Sequence, residues 1–241
     1  MKQICFLTLA LGILICLSPV KAETDERIEV FRIDRSNVLD PAQALRVDLQ
    51  PGEHRIWLGG GGIVYGEGFR KSQCLPVRIH DHATGEDHLW AFRLSAGESP
   101  VQRVEMKKGG FLQAFIVDDY VDDNSGNLEL MIDGEAHPVD SSHALDPANA
   151  KRVETRGGAY ISQFDDSVRM GPGFPASEEC FLRIHNKDYD HICYRVIGPS
   201  SVGSVANKVL NLGNSTLWLF LVDETPDDNS GQMYIGIRGP E

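Results

Sequence analysis

At 241 residues the chain is long enough for one large domain or two small ones. It carries 35 acidic side chains against 23 basic ones, a formal net charge of −12, with no basic stripe. That balance argues against nucleic acid or an anionic membrane surface as partner and points instead to cations.

Residues 1–22 read as a cleaved export signal. Lys2 precedes an apolar run from Ile4 to Leu17, and Ser18, Pro19, Val20, Lys21 and Ala22 follow it. The run is shorter than the roughly 20 apolar residues of a membrane-spanning helix. Cleavage after Ala22 therefore predicts a soluble secreted or periplasmic product with no membrane insertion. Cys5 and Cys16 leave with the signal, and Cys74, Cys180 and Cys193 remain. Three is an odd number and implies no complete disulfide framework. A Cys180–Cys193 bridge and three small buried apolar residues are both open readings.

The mature chain repeats itself. Leu39–Val47 (LDPAQALRV) recurs as Leu145–Val153 (LDPANAKRV), Tyr65–Phe69 (YGEGF) as Met170–Phe174 (MGPGF), and Val77–His80 (VRIH) as Leu182–His185 (LRIH). A period this long is that of a small domain, not of a solenoid unit, and it divides the chain at residues 23–139 and 140–241. In chain order, strands are expected at Ile28–Ile33, His54–Leu58, Leu75–His80, His88–Leu94 and Phe111–Val117, followed by an alternating segment through Leu128, Leu130 and Ile132. Their partners in the second copy end with Leu217–Val222 and the alternation of Met233, Ile235 and Ile237. The LDPA segments fit single helical turns. Short strands punctuated by Gly, Pro, Asn and Asp predict an all-β protein of two tandem β-sandwiches, jelly-roll or galactose-binding-domain-like.

One feature closes each copy. Asp118, Asp119, Asp122 and Asp123 precede Asn124-Ser125-Gly126, and Asp223, Glu224, Asp227 and Asp228 precede Asn229-Ser230-Gly231. Crowded carboxylates repel one another unless something positive sits among them. Carboxylates, amide oxygens and backbone carbonyls are hard donors that suit Ca²⁺. Taken singly, such a loop is an ordinary solvated turn; its preservation in both copies favours a cation site. The flanking strands and the position of the glycine exclude an EF-hand.

The motif V-D-[D/E]-x-x-D-D-N-S-G, followed by an alternating strand, resembles the calcium loop of PA-IL-like galactose-binding bacterial lectins. That resemblance implies a jelly-roll β-sandwich and a calcium that also meets sugar hydroxyls. It implies side-chain ligands at Asp118, Asp123 and Asn124 in the first copy and at Asp223, Asp228 and Asn229 in the second. Tyr65 and Met170 match the backbone-carbonyl donor of the family's Tyr-Gly-Pro turn. The loop here is two residues shorter, and the family's sugar-contacting His and Gln have no counterpart in Arg70–Pro76 or Pro175–Phe181. Calcium is therefore the implied cofactor and a carbohydrate or other polyhydroxylated compound the implied partner, with galactose itself not implied.

Other motifs read more plainly. His80–Trp90 holds three histidines and three acids but suits a polar hairpin better than a zinc site. Gly59–Gly62 lacks the helix and Gly-Lys-Ser/Thr of a phosphate loop and suits a close backbone approach or an irregular rim loop. No Ser-His-Asp set or G-x-S-x-G elbow stands out, so the expected product is non-enzymatic. A structural module whose calcium only rigidifies its loops is the alternative, and a secreted hydrolase the third reading.

Overall fold

The computed structural model describes residues 26–95, 97, 99–170, 175–198 and 212–240. The expected signal segment and residues 171–174 of the second Gly-rich turn lie outside them. The first repeat supplies β1 (Glu26–Asp34), β2 (Val38–Leu39), β3 (Leu45–Leu49), β4 (Gly52–Tyr65), β5 (Cys74–Asp81), β6 (Asp87–Arg93), β7 (Gln102–Met106), β8 (Gly110–Ala114), β9 (Ile116–Val117) and β10 (Asn124–Ile132). The second supplies β11 (Glu135–Val139), β12 (Ala144–Leu145), β13 (Lys151–Thr155), β14 (Tyr160–Arg169), β15 (Ala176–Ser177), β16 (Cys180–Asn186), β17 (His191–Ile197), β18 (Ser215–Val222) and β19 (Ser230–Pro240). Among the described residues the only helices are short 3₁₀ turns. The two LDPA segments form such turns at Pro41–Gln43 and Pro147–Asn149, each capped by its Asp, Asp40 or Asp146, accepting the backbone N–H two residues on. The fold is an all-β sandwich architecture of antiparallel sheets.

Each repeat contributes an outer and an inner sheet. The outer sheets run β11-β10-β4-β7 and β1-β19-β14-β15; the inner ones run β3-β8-β5-β6 and β13-β18-β16-β17. The inner strands read as near-continuous apolar runs because both their faces are covered. On β5, Leu75, Val77 and Ile79 face the first repeat's own core, while Arg78 points the other way, towards the second repeat. On β16, Leu182 and Ile184 belong to the second repeat's core, whereas Phe181 packs edge-on against Phe115 of the first at 5.5 Å. The two inner sheets thus bury an apolar layer between the repeats, including Phe181, Ile192, Tyr194 and Phe220.

The first strand of each repeat belongs to the other repeat's sheet. β1 lies antiparallel to β19 from Glu26 opposite Pro240 to Asp34 opposite Gln232, and β11 pairs with β10. The next strands cross as well, in parallel: Val38 and Leu39 lie beside Leu221 and Val222, and Ala144 and Leu145 beside Ile116 and Val117. The exchange is reciprocal, as at an isologous interface.

Gly59–Gly62 continues β4 and does not form a rim loop. Gly61 has φ +87°, and a Cβ there would lie 2.1 Å from the Asn127 carbonyl oxygen across a register shift in the β4–β10 pairing. The run of glycines therefore serves a close backbone approach. The thiols of Cys74, Cys180 and Cys193 are free: Cys180 lies opposite Ile197 and Cys193 opposite Ile184, so the first and third are not bridged.

The hairpin that joins the repeats turns at Asp133 (φ 53°) and Gly134 (φ 95°), the pair favoured in two-residue hairpins. His54 of β4 grips it, with Nδ1 2.7 Å from Asp133 Oδ2 and Nε2 2.7 Å from the Gln50 carbonyl. Burial works against the His54 proton, but the Gln50 carbonyl and the Asp133 carboxylate outweigh it and hold the histidine above its ordinary value. A histidine whose pKa rises on folding adds stability below its unfolded value, near 6.5, and loses that stability as pH rises through the folded value. Denaturant titrations should therefore show His54→Gln destabilised relative to wild type at pH 5.5, with the gap narrowing by pH 8.5.

Two acidic loops held from the opposite repeat

The loop after β9 and the loop after β18 are built alike. A buried Asp opens each: Asp118 in the first, Asp223 in the second. A 3₁₀ turn, Val121–Asp123 or Pro226–Asp228, carries the exposed pair of acids, and Asn124 or Asn229 then leads into the closing strand. The exchanged segments fix the loop entrances. The Asp118 N–H donates to the Leu145 carbonyl at 3.2 Å and the Asp223 N–H to the Leu39 carbonyl at 3.3 Å.

The positive charge that the loops require comes first from arginines of the opposite repeat. Arg183 of β16 sets Nη2 3.2 Å from Asp118 Oδ1, and Arg78 of β5 sets Nη2 3.7 Å from Asp223 Oδ1. These are the arginines of the recurring VRIH and LRIH segments. A charged residue kept between apolar neighbours in both copies was the sequence signal for them, and only the fold shows which carboxylates they meet. The arginines do not fully offset the cost of burial. Desolvation pushes both Asp118 and Asp223 above the usual carboxylate value, with Arg183 and Arg78 respectively pulling the other way.

In the first loop the expected ligands converge. Tyr65, Asp118 and Asp123 line one cleft, and Asn124 is the strand partner of Tyr65. Gly66 allows this approach: with φ +99°, a Cβ there would stand 2.6 Å from Asp123 Oδ2. In the second loop Asp223, Asp228 and Asn229 come together, with the Asn229 amide and the Asp228 charge both acting on the Asp223 carboxyl. Met170 stands one residue beyond Arg169, whose strand partner is Ser230, and so at the edge of that loop.

Several buried polar atoms here have no hydrogen-bond partner among the described residues. They are Oδ1 and Nδ2 of both Asn124 and Asn229, and Oδ2 of Asp223. Asn229 is only 5 % exposed. Each amide lies near enough to its Asp to favour the ionised carboxyl, yet makes no bond of ordinary geometry. Oxygen atoms orphaned beside uncompensated carboxylates are what a hard cation would satisfy. Among the described residues no three His, Cys, Asp or Glu side chains converge as a metal-binding group. Each candidate set accordingly holds two carboxylates, an amide and a carbonyl.

The two loops differ in their supports. The Tyr194 hydroxyl accepts the Val117 N–H at 2.9 Å and lies 2.9 Å from the Tyr65 hydroxyl, tying the first loop's entrance to its candidate carbonyl donor. Burial raises the pKa of both phenols and keeps them neutral. Arg78 divides its donors among Gln113, Asp87 and Asp223, whereas Arg183 meets Asp118 alone and stacks 4.2 Å from the Trp218 ring centroid. His80, which tempted a zinc reading, bonds Asp87 at 2.9 Å and stacks on Phe111. His185 packs on Phe69, and burial together with Arg183 lowers its pKa.

No family model matches this chain, and no curated protein matches it.

Removing one member of a buried ion pair strands the other. Arg183→Met should cost about 3 kcal/mol or more of unfolding free energy, and Asp118→Leu in the same chain should restore most of it. Urea unfolding of the two singles and the double measures the coupling.

Proposed function

We propose that this is an exported, non-enzymatic calcium-binding protein whose two acidic loops each hold one ion and offer it to a polyhydroxylated ligand. The observation that carries the reading is Asn229, buried with both amide atoms unpartnered beside an Asp223 carboxyl that also keeps an unpartnered oxygen. In the first loop Asp118, Asp123, Asn124 and the Tyr65 carbonyl would supply the ligands. In the second, Asp223, Asp228, Asn229 and the Met170 carbonyl would do so. Calcium would add charge where the arginines leave the buried carboxyls destabilised, and coordination positions not filled by the protein would accept sugar hydroxyls. The resemblance to PA-IL-like lectins supports calcium with carbohydrate, and the reading involves neither nucleic acid nor membrane insertion.

The arginines favour a second reading. Arg78 and Arg183 already place a cation on each buried Asp, so the loops could act as clasps between the repeats, with calcium as an added stiffener.

Because calcium binds the folded loops, it should raise the melting temperature by several degrees at millimolar concentration, and EGTA should reverse the shift. Asp123→Ala with Asp228→Ala should abolish that response while leaving the melting temperature in EGTA unchanged or higher. No calcium shift in differential scanning calorimetry would sink the calcium reading and leave the clasp. Calcium binding combined with a blank glycan array would leave the second reading in place.

A further inference from the structure

The cleft beside the first loop has a second wall that calcium does not explain. About 290 Å³ in volume, it is bounded on one side by Asp118, Asp119 and Asp123. Arg152, Arg183 and Lys187 of the other repeat bound the opposite side. The size suits one small organic ligand.

The matching corner at the second loop shows what this wall lacks. There Arg46, the repeat counterpart of Arg152, meets two carboxylates: Glu224 at 2.8 Å and Asp48 at 3.5 Å. Glu224 also accepts from Gln113 Nε2 at 3.1 Å, and Phe111 lies under the Arg46 guanidinium at 3.8 Å, so that corner is filled from within. At the first loop Asp119 stands in the place of Glu224. It is one methylene shorter and makes no hydrogen bond or ion pair with Arg152 among the described contacts. Arg152 keeps a single carboxylate, Glu154, at 3.0 Å, and shares it with Lys187. Thr216 replaces Phe111, opening the space that the ring fills in the other corner. Arg183, 3 % exposed, leaves Nε and Nη1 without partners on the same wall. Three cations here face four carboxylates, a slight negative excess that one calcium ion would reverse.

We propose that the first cleft binds an acidic sugar, a hexuronate. Its carboxylate takes the position that Glu224 fills in the second corner, on Arg152 and Lys187, and its hydroxyls reach the calcium of the first loop. The inference rests on the calcium reading, since without the ion the cleft repels an anion. Coupling between the two ligands is reciprocal, so the hexuronate must tighten calcium as calcium recruits the hexuronate.

Calorimetric titration of the whole protein with calcium, with and without sodium D-glucuronate or D-glucose, tests this. Glucuronate should tighten one of two calcium sites by about fivefold or more, within the usual span of coupling energies, and glucose should not. Asp119→Glu, which rebuilds the internal carboxylate and removes no cation, should cancel the effect. Arg152→Gln should do the same, while Arg46→Gln should leave it intact. Calcium binding that glucuronate does not change, or an effect that survives both Asp119→Glu and Arg152→Gln, overturns the acidic-sugar site and leaves the calcium reading standing. Absence of calcium binding in the sugar-free titration overturns both.

Discussion

Arg183 beside Asp118 and Arg78 beside Asp223 are the contacts on which the arrangement turns. Each places a guanidinium from one inner sheet into a loop of the opposite repeat, under an apolar layer that excludes water. Charges in such a setting are expensive to leave alone. Sliding or parting the two inner sheets would therefore uncover four charged groups at once, along with the Phe115–Phe181 contact. Hydrophobic burial supplies adhesion between the repeats, and the ion pairs supply its register.

That register explains why the two loops can diverge. Each is held at its entrance by a backbone carbonyl from an exchanged strand and at its first acid by an arginine, so the outer acids are free to vary. The second loop has used that freedom to fill itself, with Glu224 reaching Arg46 and Phe111 beneath it. The first has kept a shorter Asp119, a threonine in place of the ring, and a tyrosine pair behind its Val117. Two copies of one motif have become a closed corner and an open one without any change in backbone plan.

Much of the local structure was legible in the sequence. The alternation of Leu128, Leu130 and Ile132 gives β10 its buried face, and the LDPA turns appear where Asp and Pro cap them. The repeats also pointed to both acidic loops and to Tyr65 as their neighbour. Three things were hidden for a physical reason: they depend on partners far away in sequence. Gly59–Gly62 looked like a loop because nothing local shows that Asn127 passes so close to Gly61. Arg78 and Arg183 looked like ordinary residues on apolar strands because their carboxylates lie in the other repeat. The pairing of β1 with β19 joins nearly the two ends of the described chain, and no local pattern encodes it.

The exchanged first strands bear on what a single repeat could ever have been. Cut at the hairpin between Asp133 and Gly134, the first repeat would keep β10 and lose β11 from its side, while β1 would extend with no β19 to receive it. Such a half is complete only when another copy lends its own first strand and takes one in return. The unit that duplicated is then best understood as one member of an interlocked pair, and the hairpin at Asp133 as the stitch that turned two interchangeable subunits into a single chain. Once sewn together, the halves no longer had to be identical. That release from symmetry is what allowed one corner to close while the other stayed open.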